Sequence, residues 1–247
     1  MLRRGRIGAL RLQVLSQAAA PATLSLLDRL PWESHWRSLD VGCGLGSVTR
    51  ELACRGAGAV GLDHCLDYTE GPAEFLQGDA RRLDLLEEHF QVVYARYLLS
   101  HLSDPQQVVN GMVNRLCPGG YLVLEDIDFP GHTCHPPCAA FQAYVELYTE
   151  LVGRRGGNAC LGRSLWSLCR KAGLEVVYSG ASVRLFRAGP EKRVAELTLA
   201  HIARGLVEEG LVARGRLAML LRELRDFRRG ESQMCLAPTY QVVARFH

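Results

Sequence analysis

The sequence predicts an α/β fold in which helices cover both faces of a doubly wound, mostly parallel sheet. In the first half of the chain, short apolar runs typical of buried strands alternate with helical patterns, an alternation that requires parallel strands joined by crossovers. In addition, residues 39–49 (LDVGCGLGSVT) join a strand to a helix through three alternating glycines. The 247 residues, 48% apolar and 22% charged, are typical of a soluble globular protein with a substantial core.

The glycine turn is the first candidate site. Gly42, Gly44 and Gly46 lack the Cβ that would obstruct a sharp bend and a closely approaching ligand. The helix that follows directs backbone N–H groups toward such a ligand. A dinucleotide fingerprint would require glycine where Ser47 stands, which counts against a dinucleotide oxidoreductase. With Asp40 two residues ahead, the pattern is D-x-G-x-G-x-G; a turn without any ligand remains the other alternative.

The elements around this turn follow from their apolar spacing. Residues 10–30 predict two helices broken near Pro21, which we expect to lie as a lid over the turn. Strands are predicted at 38–41 and 59–62, with a helix at 48–55 between them. The second strand closes on Asp63, which lies about twenty residues beyond the first glycine, the spacing at which a strand-end acid meets ribose hydroxyls.

The remaining elements continue the alternation. A third strand leads into Asp79, and Asp104 with Pro105 marks a helix start before the fifth strand. After a loop at 132–137 come two helices, a sixth strand, two further helices and a last strand. The predicted strands are 75–77, 91–95, 121–125, one within 175–187, and 240–246. The predicted regions are an N-terminal helical lid (1–37), the α/β core (38–189), a helical insertion over the active site (190–232) and the final strand of the core (233–247).

The connection between the second and third strands is unusually short. Fifteen residues separate Asp63 from Asp79, and they must supply both a crossover and a strand. A parallel crossover normally takes about a dozen residues or more, and Gly71-Pro72 interrupts this one. We therefore expect the usual helix here to be shortened or absent. The adenine side would then be more open or covered by another chain, as in a homodimer.

Five successive stretches carry a family resemblance: LDVGCGLG, GLD, GDA, VVYARYLLSHLSDP and LCPGGYLVLEDID. They resemble the motifs of class I S-adenosylmethionine-dependent methyltransferases of the small-molecule, ubiquinone/menaquinone-methylase type. The resemblance covers most of the chain and is strongest over residues 39–128. It implies a Rossmann-like, seven-stranded sheet with its last strand antiparallel, and S-adenosylmethionine as the cofactor across the strand ends.

The resemblance also implies a set of cofactor-binding residues. Asp40, Gly42 and Gly44 would face the methionine portion, and Asp63 the ribose hydroxyls. His101 would lie near the sulfonium or help to wall the site. The complete set adds Asp79 and Ala80 at the adenine edge, Ala95 and Arg96 on the far side of the methionine, and the neighbours Cys43 and His64.

The acceptor side is defined less sharply by the sequence. A sulfonium is an activated methyl donor, so positioning supplies much of the acceleration, and a base is needed only if the acceptor must lose a proton. Four candidates follow the fifth strand, whose carboxyl end borders the substrate crevice in open parallel sheets: His132, His135, Asp128 and Tyr144. The cysteines and histidines between 132 and 138 match no standard zinc spacing, so no metal site is predicted.

The function expected from these patterns is methyl transfer to O, N or C of a small organic metabolite. The net charge of +3 does not by itself indicate nucleic acid or a membrane as partner. Nine scattered cysteines without paired spacing indicate a reducing cytoplasm. An RNA or protein methyltransferase and a non-catalytic S-adenosylmethionine-binding protein remain the alternatives.

Overall fold

Residues 5–67, 69 and 73–247 are described by a computed structural model, and they build one large sheet, one small sheet and flanking helices. The strands are β1 (Arg37–Val41), β2 (Gly58–Asp63), β3 (Glu74–Gln77), β4 (Phe90–Arg96), β5 (Leu116–Ile127), β6 (Thr133–His135), β7 (Glu175–Ser182), β8 (Leu185–Phe186), β9 (Gln233–Cys235) and β10 (Thr239–Arg245). The helices are α1 (Gly5–Leu27), α2 (Ser47–Ala53), α3 (Pro105–Val113), α4 (Ala139–Arg154), α5 (Leu165–Lys171), α6 (Val194–Glu208) and α7 (Arg214–Arg229).

The large sheet has the strand order β3-β2-β1-β4-β5-β10-β7. Pairing is parallel from β3 to β5, whereas β10 runs antiparallel to both β5 and β7. The predicted seven-stranded sheet with an antiparallel last strand is therefore confirmed. Strand order reverses between β1 and β4, and ligands of such sheets bind at the carboxyl ends of the strands beside this point.

The central strands are apolar along their whole length, and this made them predictable from the sequence. Leu39, Val41 and Val93 are fully buried, because helices cover both faces of a parallel sheet and make its strands apolar throughout. At the edge of the sheet, the described residues between β2 and β3 (64–67, 69 and 73) contain no helical residue. Gly71 and Pro72, which the sequence analysis singled out in this connection, lie outside the described residues.

From residue 5 onward the N-terminal region contains one continuous helix, so the expected break near Pro21 was wrong. Helix α1 continues through Pro21 to Leu27. An interior proline costs a helix about 3 kcal/mol, but tertiary packing outweighs such a local preference. Ala18 and Ala19 on one side of the proline and Leu26 and Leu27 on the other are buried, and this burial holds the helix together.

The region expected to be a loop at 132–137 contains strand β6, which joins a small antiparallel sheet with the order β6-β9-β8. These strands have two or three residues each and come from segments far apart in the chain, so no local pattern reveals them. Helices α6 and α7 lie between β8 and β9 in the chain. None of the helices described is long and apolar enough to cross a membrane.

Two glycines with positive φ provide a stability prediction. A methyl group on Gly46 (φ +73°) would overlap the ring of Phe75, whereas one on Gly119 (φ +79°) would meet no atom within 4 Å. Gly119→Ala should lower the free energy of unfolding by about 1–2 kcal/mol, the cost of a left-handed residue. Gly46→Ala should cost about 1–3 kcal/mol more because of the overlap. Urea unfolding measures both, and equal losses would contradict the prediction.

Candidate functional site

A cavity of about 790 Å³ opens at the carboxyl ends of the central strands. We call the part lined by the ends of β1, β2 and β3 the strand-end half, and the part lined by α1, α4 and α6 the helical half. Twelve of the fifteen residues predicted as site residues line it: Asp40, Gly42, Cys43, Gly44, Asp63, His64, Asp79, Ala80, Arg96, His101, His132 and Tyr144. The strand topology thus brings most of the predicted residues together.

The glycine turn forms the floor of the strand-end half. Gly42 and Gly44 have φ values of +76° and +63°, which favour glycine. The backbone N–H groups of Gly42 and Cys43 donate to the carbonyl of Leu62 at 2.7 and 3.1 Å, so the turn is held against the end of β2. A methyl group on Gly44 would meet no atom within 4 Å, so this face of the turn is open to a ligand.

Asp63 ends β2 beside the turn and is only 6% exposed. Its carboxylate accepts hydrogen bonds from the backbone N–H of Gly44 at 3.0 Å and of Cys65 at 3.1 Å, and the ring of His64 lies 3.0 Å away. The carboxylate is therefore fixed in orientation at the end of β2.

Asp40 lies on β1 just before the turn and is almost fully buried. It accepts a hydrogen bond from the Thr49 hydroxyl at 2.7 Å. Burial raises the pKa of Asp40 to about 6, opposed by the Thr49 hydrogen bond and by the charge of Arg96. Ionising the Asp40 carboxyl in the folded protein therefore costs free energy unless a further cation lies nearby.

The raised pKa of Asp40 predicts how stability depends on pH. Between about pH 4 and 6 the folded protein keeps a proton that the unfolded chain has released, so stability present at low pH is lost as pH rises through 6. Relative to Asp40→Asn, the wild-type free energy of unfolding should fall by up to about 3 kcal/mol across this window. Urea unfolding at several pH values measures the difference. Parallel pH profiles would contradict it.

Asp79 and Ala80 line the outer end of the strand-end half. Asp79 caps a short 3-10 helix by accepting from the backbone N–H of Arg81 at 2.9 Å. The hydrogen bonds and charge of Arg81 lower the pKa of Asp79. Asp79 is therefore paired with Arg81, and its carboxylate stays ionised at the outer end of the strand-end half.

At the end of β4, two neighbouring residues lie in different environments. Ala95 is buried in the core and does not line the cavity, whereas Arg96 does. The Arg96 guanidinium donates to the hydroxyls of Thr23 at 2.8 Å and Ser16 at 3.1 Å, both on α1. The next residue, Tyr97, has a φ of +54°. This left-handed residue turns the chain away from the strand end, so that the segment carrying His101 lines the cavity.

A buried carboxylate, Glu125, is connected to Arg96 through the Thr23 hydroxyl. Glu125 is 1% exposed and accepts from Thr23 at 2.7 Å, from Gln241 at 2.8 Å and from the Tyr94 hydroxyl. Thr23 therefore donates to Glu125 and accepts from Arg96. This network fixes α1 to the sheet and, through it, the position of the Arg96 guanidinium.

The predicted acid–base candidates separate into two groups. His132 and Tyr144 line the helical half of the cavity with their rings 5.8 Å apart. Asp128 does not line it: the carboxylate forms an ion pair with Arg163 at 2.6 Å. His135 lies on β6 with an exposed side chain, also away from the lining. Only the first two are positioned to touch a molecule inside the cavity.

His132 is held as a neutral imidazole in one tautomer. Its Nδ1 lies 2.8 Å from the carbonyl oxygen of Phe129, which can only accept, so Nδ1 carries the proton and Nε2 keeps its lone pair. Burial lowers the pKa of His132 to about 4. The rings of Phe129 and Phe141 pack against it, with centroids at 4.5 and 6.3 Å. His132 can therefore accept a proton at neutral pH.

Other polar residues of the helical half were missed by the sequence analysis. Arg11 lies on α1 and its Nε donates to the Thr198 hydroxyl at 2.9 Å on α6. Tyr148 follows Tyr144 by one turn of α4 and stacks on Phe129 at 3.7 Å. The four-residue spacing of the two tyrosines was a usable signal, because it places both on one helix face. The Tyr144 hydroxyl is buried and has no hydrogen-bond partner among the described residues.

Sequence comparison identifies relatives of this arrangement. A family model described as a methyltransferase domain matches residues 39–124. An uncharacterized methyltransferase of Synechocystis sp. is 29% identical over 181 residues, which cover 68% of this chain and 82% of the relative. The 2-phytyl-1,4-naphtoquinone methyltransferase of Thermosynechococcus vestitus is 27% identical over 168 residues, covering 56% of this chain and 72% of the relative.

Structural comparison agrees with the sequence relatives. A Bacillus halodurans C-125 protein assigned to the methyltransferases superimposes with a TM-score of 0.62 at 17% identity, covering 91% of this chain and 98% of that one. At this identity the likeness concerns the fold. Residues 39–124 match a methyltransferase domain, and the sheet topology together with the sequence relatives supports a class I methyltransferase that uses S-adenosylmethionine.

Proposed function

We propose that the protein methylates an O, N or C atom of a small organic metabolite bound in the helical half of the cavity. The observation that carries this proposal is the lining of the site: one cavity runs from the glycine turn to an aromatic wall and is lined by residues of α1 and α6. Enclosed, largely apolar cavities are typical of small-molecule sites. The name of the Thermosynechococcus relative, a naphthoquinone methyltransferase, supports an acceptor of this kind.

The strand-end half fits the cofactor. The orientation of Asp63 suits two ribose hydroxyls, and the open face of Gly44 leaves room beside the turn. Asp79 with Ala80 would hold the adenine edge, and Asp40 with Arg96 the methionine portion. When bound, S-adenosylmethionine supplies an activated methyl group on its sulfonium. The chain's own task is to orient the acceptor and exclude water.

His132 is the residue that we propose as proton acceptor, where the acceptor must lose a proton. Its Nδ1 is occupied by the Phe129 carbonyl, so Nε2 is the available base. Tyr144 would orient the acceptor through its buried hydroxyl, which has no other partner among the described residues. Asp128 and His135, the other sequence candidates, lack access to the cavity and receive no role in this proposal.

The lid (1–37) and the helical insertion (190–232) remain proposals for how the acceptor is enclosed. Helix α1 contributes Gly8, Arg11, Leu12 and Leu15 to the lining, and α6 contributes Val194, Thr198, His201 and Ile202. A covered site of this kind favours a small acceptor over RNA or protein. A cytoplasmic location is proposed from the cysteine spacing alone.

Calorimetry and a turnover assay test this proposal together. The protein should bind S-adenosylmethionine in preference to NAD, and incubation of the labelled cofactor with a metabolite mixture should transfer label to a small organic product. Preference for NAD would overturn the cofactor assignment. Cofactor binding without labelled product from any fraction would favour the non-catalytic alternative. Label on RNA or protein would favour the macromolecular one.

A further inference from the structure

We infer that the acceptor carries a carboxylate, which the guanidinium of Arg11 holds in the helical half of the cavity. This inference rests on the proposed function, because it names the acceptor class of the same site. Arg11 is half-buried on α1 and lines the cavity. Its Nε donates to the Thr198 hydroxyl at 2.9 Å, which fixes the plane of the guanidinium at the cavity lining.

The positive charge of Arg11 has no counter-ion in the described part of the chain. No hydrogen bond or ion pair there joins it to a carboxylate, and the described acids of the lining are Asp40, Asp63, Asp79 and Asp104, which follow strands or cap α3. Arg155, the other arginine among the described residues of the helical half, is ion-paired with Glu209 at 2.7 Å. A half-buried cation without a counter-ion is costly, and an anionic ligand would remove that cost.

The neighbours of Arg11 do not balance its charge. His101, His132 and His201 line the same region, and burial together with the positive charge of Arg11 lowers the pKa of each to about 4. These imidazoles are therefore neutral at pH 7. Among residues 5–67, 69 and 73–247, the helical half thus contains one uncompensated positive charge, which suits a monoanion better than a phosphate dianion.

The geometry favours a planar anion on an apolar body. A guanidinium matches a carboxylate through two parallel hydrogen bonds. Next to it, the stacked rings of Phe129 and Tyr148 form an aromatic wall, with an interplanar angle of 14°. The buried Tyr144 hydroxyl offers a further hydrogen bond in the same region. An aromatic or otherwise apolar acid satisfies all three features.

Calorimetry on protein saturated with S-adenosylhomocysteine tests this inference. The probes are benzoate, 2-naphthoate and biphenyl-4-carboxylate, their primary amides, and phenyl phosphate. At least one acid should bind about tenfold or more tightly than its amide, because a charged hydrogen-bond pair is worth roughly that ratio. Arg11→Gln should remove this preference and leave amide affinity within about twofold.

Arg155→Gln is the matched control, because it removes an arginine of the same lining whose charge is already paired. It should keep the acid preference. Equal affinities of every acid and its amide in the wild type would overturn the inference, as would a preference that survives Arg11→Gln. Tighter binding of phenyl phosphate than of benzoate would overturn the carboxylate assignment.

The two proposals fail in different ways. If the protein does not bind S-adenosylhomocysteine, the proposed function is contradicted. If it binds S-adenosylhomocysteine but shows no preference for acids over amides, only the inference that the acceptor carries a carboxylate is contradicted. Melting temperature and S-adenosylhomocysteine affinity show whether Arg11→Gln is folded. If it is not, Thr198→Val removes the Nε hydrogen bond and keeps the charge. The acid preference should then persist in reduced form, and its complete retention or loss would count against the bidentate geometry.

Discussion

Replacing His132 by alanine is expected to lower kcat by about 10²–10⁴-fold for an acceptor that loses a proton, the range typical of a positioned general base. The imidazole is buried, its Nδ1–H donates to the Phe129 carbonyl, and only Nε2 can accept a proton. Since its pKa lies at about 4, the wild-type rate should rise as pH increases through 4 and be level near neutrality. Single-turnover rates against pH measure both effects.

His135→Ala separates the two histidines that the sequence offers. His135 lies on β6 outside the cavity, so its replacement should leave the single-turnover rate and its pH profile as in the wild type. If His132→Ala retains the rate within about tenfold, the acceptor reacts without help from this base. A rate loss in His135→Ala comparable to that in His132→Ala would contradict the assignment.

Replacing Asp63 by alanine is expected to weaken S-adenosylmethionine binding by about 1–3 kcal/mol, the cost of leaving hydrogen-bond partners unsatisfied. This corresponds to roughly 5–150-fold in Kd. The variant also loses the acceptor for the N–H groups of Gly44 and Cys65, so the turn itself should loosen. Calorimetry measures the affinity, and thermal unfolding measures the structural part.

Asp67→Asn is the control for Asp63, because this acid follows in the same segment and does not line the cavity. Its S-adenosylmethionine affinity should stay within about twofold of the wild type. Unchanged affinity in Asp63→Ala would remove the ribose role. An equal loss in both variants would indicate a general effect on the segment.

The strand-end half was predictable because its signals are local. Gly42, Gly44 and Asp63 stand within a few residues of strand ends, and the parallel sheet brings those ends to one edge. Asp104 capped α3 as expected, since N-capping depends on neighbouring residues only. These features needed no knowledge of tertiary contacts.

The helical half could not be derived in this way. Arg11 and Thr198 are joined by a hydrogen bond across 187 positions of sequence, and nothing near either residue indicates the other. The same holds for β6 and β9, whose pairing arises only in the folded chain. Pro21 misled the helix prediction because the local penalty was visible and the compensating burial was not.

Helix α1 contacts residues of both the strand-end half and the helical half of the cavity. Ser16 lies 2.6 Å from Ser47 at the start of α2 and accepts from Arg96, while Arg11 reaches α6. If one ligand orders this helix when it binds, the second ligand has a smaller conformational entropy cost of ordering it. This reduced cost is a physical basis of cooperative binding. By thermodynamic linkage the effect is reciprocal. If the two halves bind the proposed donor and acceptor, the same helix enters the binding equilibria of both.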